Sequence, residues 1–135
     1  MSATIAARLA ELGLELPKAT APVANFVPCV QSGRNLFISG QIPIDPATGN
    51  LIAGDIAAMT HRVFANIKAI LAAAGGTLDQ VVRTTVFLAD MNDFVAMNEV
   101  YATYFGQPAP ARSTVQAARL PKDARVEIDV IAILG

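Results

Sequence analysis

The sequence predicts an α+β domain with the element order β-β-α-β-α-β-β and two helices on one face of a mixed sheet. Three observations carry that reading. Two stretches set apolar residues at helical spacing and end on glycine, shorter runs are rich in β-branched residues, and 135 residues suffice for one domain with a single core.

Each element follows in chain order. Thr4 caps a short helix with Ile5, Leu9 and Leu12 on one face and Gly13 as its stop, an appendage over residues 1–16 of a single domain spanning residues 1–135. Pro17, Pro22 and Pro28 favour an extended lead-in. Residues 27–31 and 36–40 read as strands about a turn at Ser32-Gly33-Arg34-Asn35, and residues 46–50 read as a loop. The first main helix is predicted over residues 56–74. Asp55 caps it, Ile56, Met59, Val63, Ile67, Ile70 and Leu71 form its apolar stripe, and Gly75-Gly76 ends it. Residues 81–88, β-branched or aromatic at nearly every position, predict a buried strand. A second helix is predicted over residues 93–105, capped by Asn92 and closed by Gly106, with Phe94, Met97, Tyr101 and Tyr104 or Phe105 facing inward. Strands at residues 112–117 and 125–133 complete the sheet.

Composition narrows the function classes. Apolar residues reach 53% and charged residues only 16%, against about 45–50% and about 25% in ordinary domains. The excess, together with a sheet face that no helix covers, implies a buried subunit interface. A net charge of −1 without a Lys/Arg block excludes the electrostatic footprint of a nucleic-acid binder. Arg62, Lys68, Asp79 and Arg83 break the richest apolar region, so no membrane span is expected. Arg8 and Glu11 fall inside what would be a signal's apolar core, which argues against a secretory signal. One cysteine, Cys29, forbids an internal disulfide and fits a reducing, cytoplasmic compartment. With one histidine, His61, a Cys/His zinc site cannot be assembled within one chain.

Strand alternation locates the candidate chemistry. Arg112, Thr114 and Gln116 share one strand face, and Glu127 and Asp129 lie opposite Val126, Ile128 and Val130. If these two strands pair, Arg112 and Glu127 project from the same polar face. The guanidinium fork would then grip a substrate carboxylate while the Glu holds a water. Spacing alone favours the simpler reading, a cross-strand ion pair that neutralises itself. His61, off the apolar stripe beside Arg62, reads as a solvated helix-face residue rather than a base. Cys29, in an apolar strand, reads as an inert buried thiol. Gly75-Gly76 follows a helix instead of leading from a strand into one, so no phosphate loop or nucleotide cofactor is indicated.

Several ordered motifs carry a family resemblance: Leu36-Phe37-Ile38-Ser39-Gly40-Gln41-Ile42-Pro43, residues 84–94, Pro110-Ala111-Arg112-Ser113-Thr114-Val115, Ala118-Arg119-Leu120-Pro121-Lys122-Asp123 and Val126-Glu127-Ile128-Asp129. Over residues 20–134 the chain resembles the RidA/YjgF family of reactive enamine/imine deaminases. The resemblance implies a chorismate-mutase-like α+β fold and a homotrimer with ligand clefts between subunits. It also implies hydrolysis of small 2-imino acids and their enamines, such as 2-iminobutanoate and 2-iminopropanoate, to 2-keto acids and ammonia, with no metal or organic cofactor. By the same resemblance, Arg112 binds the substrate carboxylate, Glu127 positions the attacking water, Ser39 and Gly40 form the cleft wall, and Asn98 lines the site. Phe26 stands where the best-known branch has a tyrosine, and Thr114 replaces the common cysteine. This resemblance reverses the preference for a self-neutralising pair. The alternative function is a non-catalytic trimer that binds small carboxylates or amino-acid metabolites in the same cleft and regulates a partner. RNA cleavage, a label some relatives carry, is disfavoured by the near-zero net charge and the lack of a stacking platform.

Overall fold

Hairpin chemistry starts the described part of the chain, which in this computed structural model is residues 27–135. The expected N-terminal helix and Phe26 lie outside those residues. Cys29–Ser32 (β1) and Asn35–Gln41 (β2) pair antiparallel around Gly33-Arg34, where Gly33 takes a φ of 60° that a side chain would resist. The loop that follows is closed by one bridge between Ile44 and Leu51.

Ile56–Ala73 (α1) begins at Asp55, whose carboxylate accepts the Ala58 N–H at 2.9 Å, and it gives way to Gly75 at a φ of 83°. Its stripe is buried except at Met59, which is only partly covered, and Thr60, Phe64 and Asn66 are buried beside it. Val81–Leu88 (β3) alternates instead of being buried throughout. Thr84, Val86 and Leu88 point under the helices, while Arg83, Thr85 and Phe87 stand on the other face. Phe94–Tyr104 (α2) is entered differently from the expectation. Residues Met91–Asp93 first make a 3-10 turn capped by Asp90, whose carboxylate accepts the Asn92 N–H at 2.9 Å. The cap therefore moves from Asn92 to Asp90 because the chain needs one tighter turn to leave β3. The helix also ends at Tyr104, before Gly106, because Phe105 turns to extended backbone and brings its ring against Phe64 and Tyr101.

Ala111–Gln116 (β4) and Val126–Ile133 (β5) complete a five-stranded mixed sheet ordered β1-β2-β5-β3-β4. Only β3 and β4 run parallel, and α2 is the crossover that parallel pairing requires. Both described helices lie on one sheet face, and the core sits between the layers, built from Leu36, Ile38, Val86, Leu88, Ile128 and Val130 below and Val63, Phe64, Ile67 and Met97 above. Phe64 fastens the helices together, stacked on Tyr104 with ring centroids 4.3 Å apart and edge-on to Tyr101 at 5.7 Å.

The opposite sheet face has no covering layer among the described residues. Val30, Phe37, Val115 and Ile133 are each more than 40% exposed there; Val30 and Phe37 are strand partners at one end of the sheet, and Val115 lies in the row of Phe87 and Glu127 at the other. Replacing Asp55 by Ala should leave this topology intact and lower stability by about 1 kcal/mol, read as a shifted urea midpoint at unchanged slope.

Candidate active site

Strand register decides where the chemistry-bearing side chains go. β4 does not pair with β5, because β3 lies between them. Arg112 stands beside Thr84, and Thr84 beside Val130, on the helix-covered face. Glu127 stands beside Phe87, and Phe87 beside Val115, on the uncovered face. The expectation that Arg112 and Glu127 share a face is therefore wrong for one chain. Each strand was read with the right alternation, but the intervening strand offsets the two phases.

The candidate residues form two groups instead of one. In the first, the Arg112 guanidinium donates from Nη1 to Asn98 Oδ1 at 2.6 Å and lies 4.5 Å from the Tyr101 ring centre and 5.6 Å from that of Phe94. Thr114 follows on the same face, its hydroxyl buried and without a hydrogen-bond partner among the described residues. In the second group, β2 advances three residues from Ile38 to Gln41 while β5 moves two, from Val130 to Ile128. This bulge contains Ser39 and Gly40. A methyl group at Gly40 would overlap the Glu127 carboxylate, so glycine is the residue that lets the acid lie against the strand. The Ser39 hydroxyl donates to the Val27 carbonyl at 2.6 Å and anchors the bulge to the chain entering β1.

Neither charge is neutralised within the described chain. The ion pairs there join Arg119 to Asp123 and Arg125 to Asp93, and neither includes Arg112 or Glu127. The self-neutralising reading is excluded by geometry. Burial pushes the Glu127 carboxyl above its ordinary range, and like-charge repulsion from Asp129 on the same face adds to that shift.

The remaining candidates fall away from both groups. Cys29 is buried in β1, and burial raises its thiol pKa, which disfavours the thiolate. His61 is exposed on α1, with Nδ1 2.6 Å from the Tyr104 hydroxyl. Among the described residues no three His, Cys, Asp or Glu side chains converge on a metal position, and no helix is long and apolar enough to cross a membrane. The sequence reading missed Thr84 and Tyr101 as neighbours of Arg112. The available signal for Thr84 was its alternate spacing with Val86 and Leu88, which sets a hydroxyl among apolar residues on one strand face.

A two-layer α+β domain, with a guanidinium under its helices and a desolvated carboxylate on its open face, is the class of protein that fold and site define. The chain belongs to the Endoribonuclease L-PSP family, also called RidA/YjgF, whose sequence model matches residues 16–134. It is 54% identical over 111 residues to a RutC family protein of Pyrococcus horikoshii, covering 82% of this chain and 88% of that one. It is 45% identical over 118 residues to the mouse 2-iminobutanoate/2-iminopropanoate deaminase, covering 87% of each. Among solved structures, RidA from an Antarctic Psychrobacter superposes with a TM-score of 0.83 at 43% identity, covering 89% of this chain and 97% of that one. Escherichia coli TdcF with bound serine superposes at 0.82 and 40% identity, covering 90% and 97%.

The contact between Gly40 and Glu127 can be tested on its own. Gly40→Ala should cost about 1–3 kcal/mol by forcing Glu127 out of its rotamer. In a Glu127→Ala background the same substitution should cost much less, and equal costs in the two backgrounds would remove the proposed contact.

Proposed function

We propose that the protein hydrolyses small 2-imino acids to 2-keto acids and ammonia, with each site built from Arg112, Asn98 and Thr114 of one subunit and Ser39, Gly40 and Glu127 of the next in a homotrimer. The observation that carries this reading is the pair of unneutralised groups on opposite sheet faces. One chain cannot bring them together, whereas a closed ring of copies joins the Arg112 edge of each to the Glu127 face of its neighbour. The exposed apolar residues on the Glu127 face, Val115 in its own row and Val30, Phe37 and Ile133 beyond, give such a ring a surface to bury. The mouse relative's name supplies the reaction class, and the serine held by the TdcF relative fits an amino-acid-sized ligand.

The chemistry follows from the groups. The planar guanidinium takes the substrate carboxylate through paired N–H donors. A protonated imine is already electrophilic, so the site has only to hold a water against its carbon and accept a proton. Glu127 is suited to that role, since a carboxyl with a raised pKa is a stronger base than a solvated one. The water oxygen bonds to C2 as one of its protons moves to Glu127 and on to the nitrogen; the C–N bond then breaks as the remaining hydroxyl proton passes to the carboxylate, giving the keto acid and ammonia. Thr114 and Phe26 are assigned to the cleft lining. RNA cleavage, which the family description names, fits less well, because a chain of net charge −1 offers little to neutralise a phosphate backbone.

Adding the protein to a threonine dehydratase acting on threonine should speed release of 2-oxobutanoate and ammonia; no acceleration would leave the binding-protein alternative in its place. Arg112→Ala and Glu127→Ala should each be inactive, yet co-expressed in equal amounts they should recover about a quarter of wild-type activity, since in a cyclic ring one interface in four receives both intact groups. Failure to complement would put both residues in separate roles.

Glu127→Gln should lower kcat by about 10²–10⁴ while keeping carboxylate binding. Its effect on stability should have the opposite sign. A carboxyl whose pKa rises on folding holds its proton more tightly in the folded state, so its contribution is greatest below the unfolded pKa and is lost as pH rises through the folded value. Glu127→Gln should therefore be more stable than wild type at neutral pH, with the difference vanishing below about pH 4, in urea titrations at the two pH values.

A further inference from the structure

Resting on the carboxylate-binding role proposed for Arg112, we infer that Tyr101, held in place by Thr84, is a positioning residue that sets the affinity of this site for carboxylates. Four observations converge on it. The Thr84 and Tyr101 hydroxyls lie 2.7 Å apart, and both residues are buried, Thr84 completely and Tyr101 to within 6%. Thr84 is the strand neighbour of Arg112 in the parallel β3/β4 register, so the group that holds the ring and the residue the ring serves are fixed to adjacent points of one sheet. The Arg112 guanidinium carbon sits 4.5 Å from the Tyr101 ring centre, a cation–π distance. The one side-chain acceptor on the guanidinium among the described residues is the neutral Asn98 amide oxygen.

This arrangement solves a problem that an ion pair would not. A long arginine at a sheet edge needs its rotamer fixed, since each loose side chain must be ordered at the moment of binding. A carboxylate partner would fix it but would also occupy the fork that must receive the substrate. A ring face and a neutral amide oxygen fix it and leave the positive charge uncompensated. The ring is held in turn by the aromatic cluster, with Phe64 edge-on at 5.7 Å and Phe105 tilted against it at 4.9 Å. The ring thus cannot follow the arginine; the arginine must follow the ring.

The experiment measures the dissociation constant of 2-oxobutanoate by calorimetry on the assembled protein, alongside KM and kcat in the dehydratase-coupled assay, with folding verified by circular dichroism. Tyr101→Leu removes the ring and should weaken binding and raise KM by about tenfold, with kcat changed by less than about threefold. Tyr101→Phe keeps the ring but leaves the Thr84 hydroxyl without its partner, and should raise the dissociation constant by no more than about threefold, well short of Tyr101→Leu. Thr84→Val leaves the tyrosine hydroxyl without its partner and should raise the dissociation constant by about threefold, with Thr84→Val/Tyr101→Phe restoring it. A merely structural role would lower stability in these variants and leave affinity unchanged. Unchanged affinity in Tyr101→Leu, or a fall confined to kcat, overturns the inference; should that variant not fold, Thr84→Val decides it in the same way. If Arg112→Lys loses 2-oxobutanoate while Tyr101→Leu keeps it, this inference fails and the carboxylate reading stands. If the wild-type protein does not bind 2-oxobutanoate, both fail together.

Discussion

Parallel pairing of β3 with β4 is the constraint on which the rest of the molecule depends. β3 is antiparallel to β5 and parallel to β4, so its alternation is transmitted to both neighbours: Thr84 and Val86 set Arg112 and Thr114 under the helices, and Phe87 sets Glu127 and Val115 on the open face. A slip of one residue on either side would exchange the faces. Parallel strands also need a crossover, and here that crossover is α2. The same helix supplies Asn98, Tyr101 and Phe94, so the connection that makes parallel pairing possible is what surrounds the arginine with an amide and two rings.

Electrostatically, the two groups are kept in opposite conditions. Arginine tolerates a low-dielectric position because its charge is delocalised and its faces stack on aromatic rings. A carboxylate has no such option, and Glu127 meets burial on one side and the charge of Asp129 on the other. Holding it there lowers stability at neutral pH, a cost characteristic of groups retained for function. Gly40 has the complementary role: it gives up a side chain so that the acid can approach the bulge.

Much of the fold could be read from local pattern because its helices obey local rules. The Asp55 cap, the stripe from Ile56 to Leu71 and the glycine stop act within a few residues of one another, and the structure reproduces them. The cap of α2 was misplaced at Asn92 because Asp90, Asn92 and Asp93 all carry capping side chains, and only the tight turn out of β3 selects Asp90. The geometry of the candidate site was not legible in the sequence. Periodicity gives the face of each residue within its own strand, and nothing in the sequence says how many strands separate two others. Placing β3 between β4 and β5 turned a single polar face into two. Tyr101 was read correctly as an inward residue, yet its second contact, with Arg112, depends on tertiary packing that spacing does not encode.

The uncovered face carries two requirements that conflict within one chain. Val30, Phe37, Val115 and Ile133 are best removed from water, each gaining on the order of 1–3 kcal/mol when fully buried. Glu127, on the same face, is already above its ordinary pKa, and a layer that dried the whole surface would drive its proton on and abolish it as a base. A plain apolar cover satisfies the first requirement and violates the second. In the proposed ring, a copy of the same chain docked by its β4 edge would meet both, burying apolar residues and bringing an uncompensated guanidinium towards the carboxylate. In the proposed ring the counter-charge each group lacks at home is thus available only across the interface, and assembly and site completion become one event.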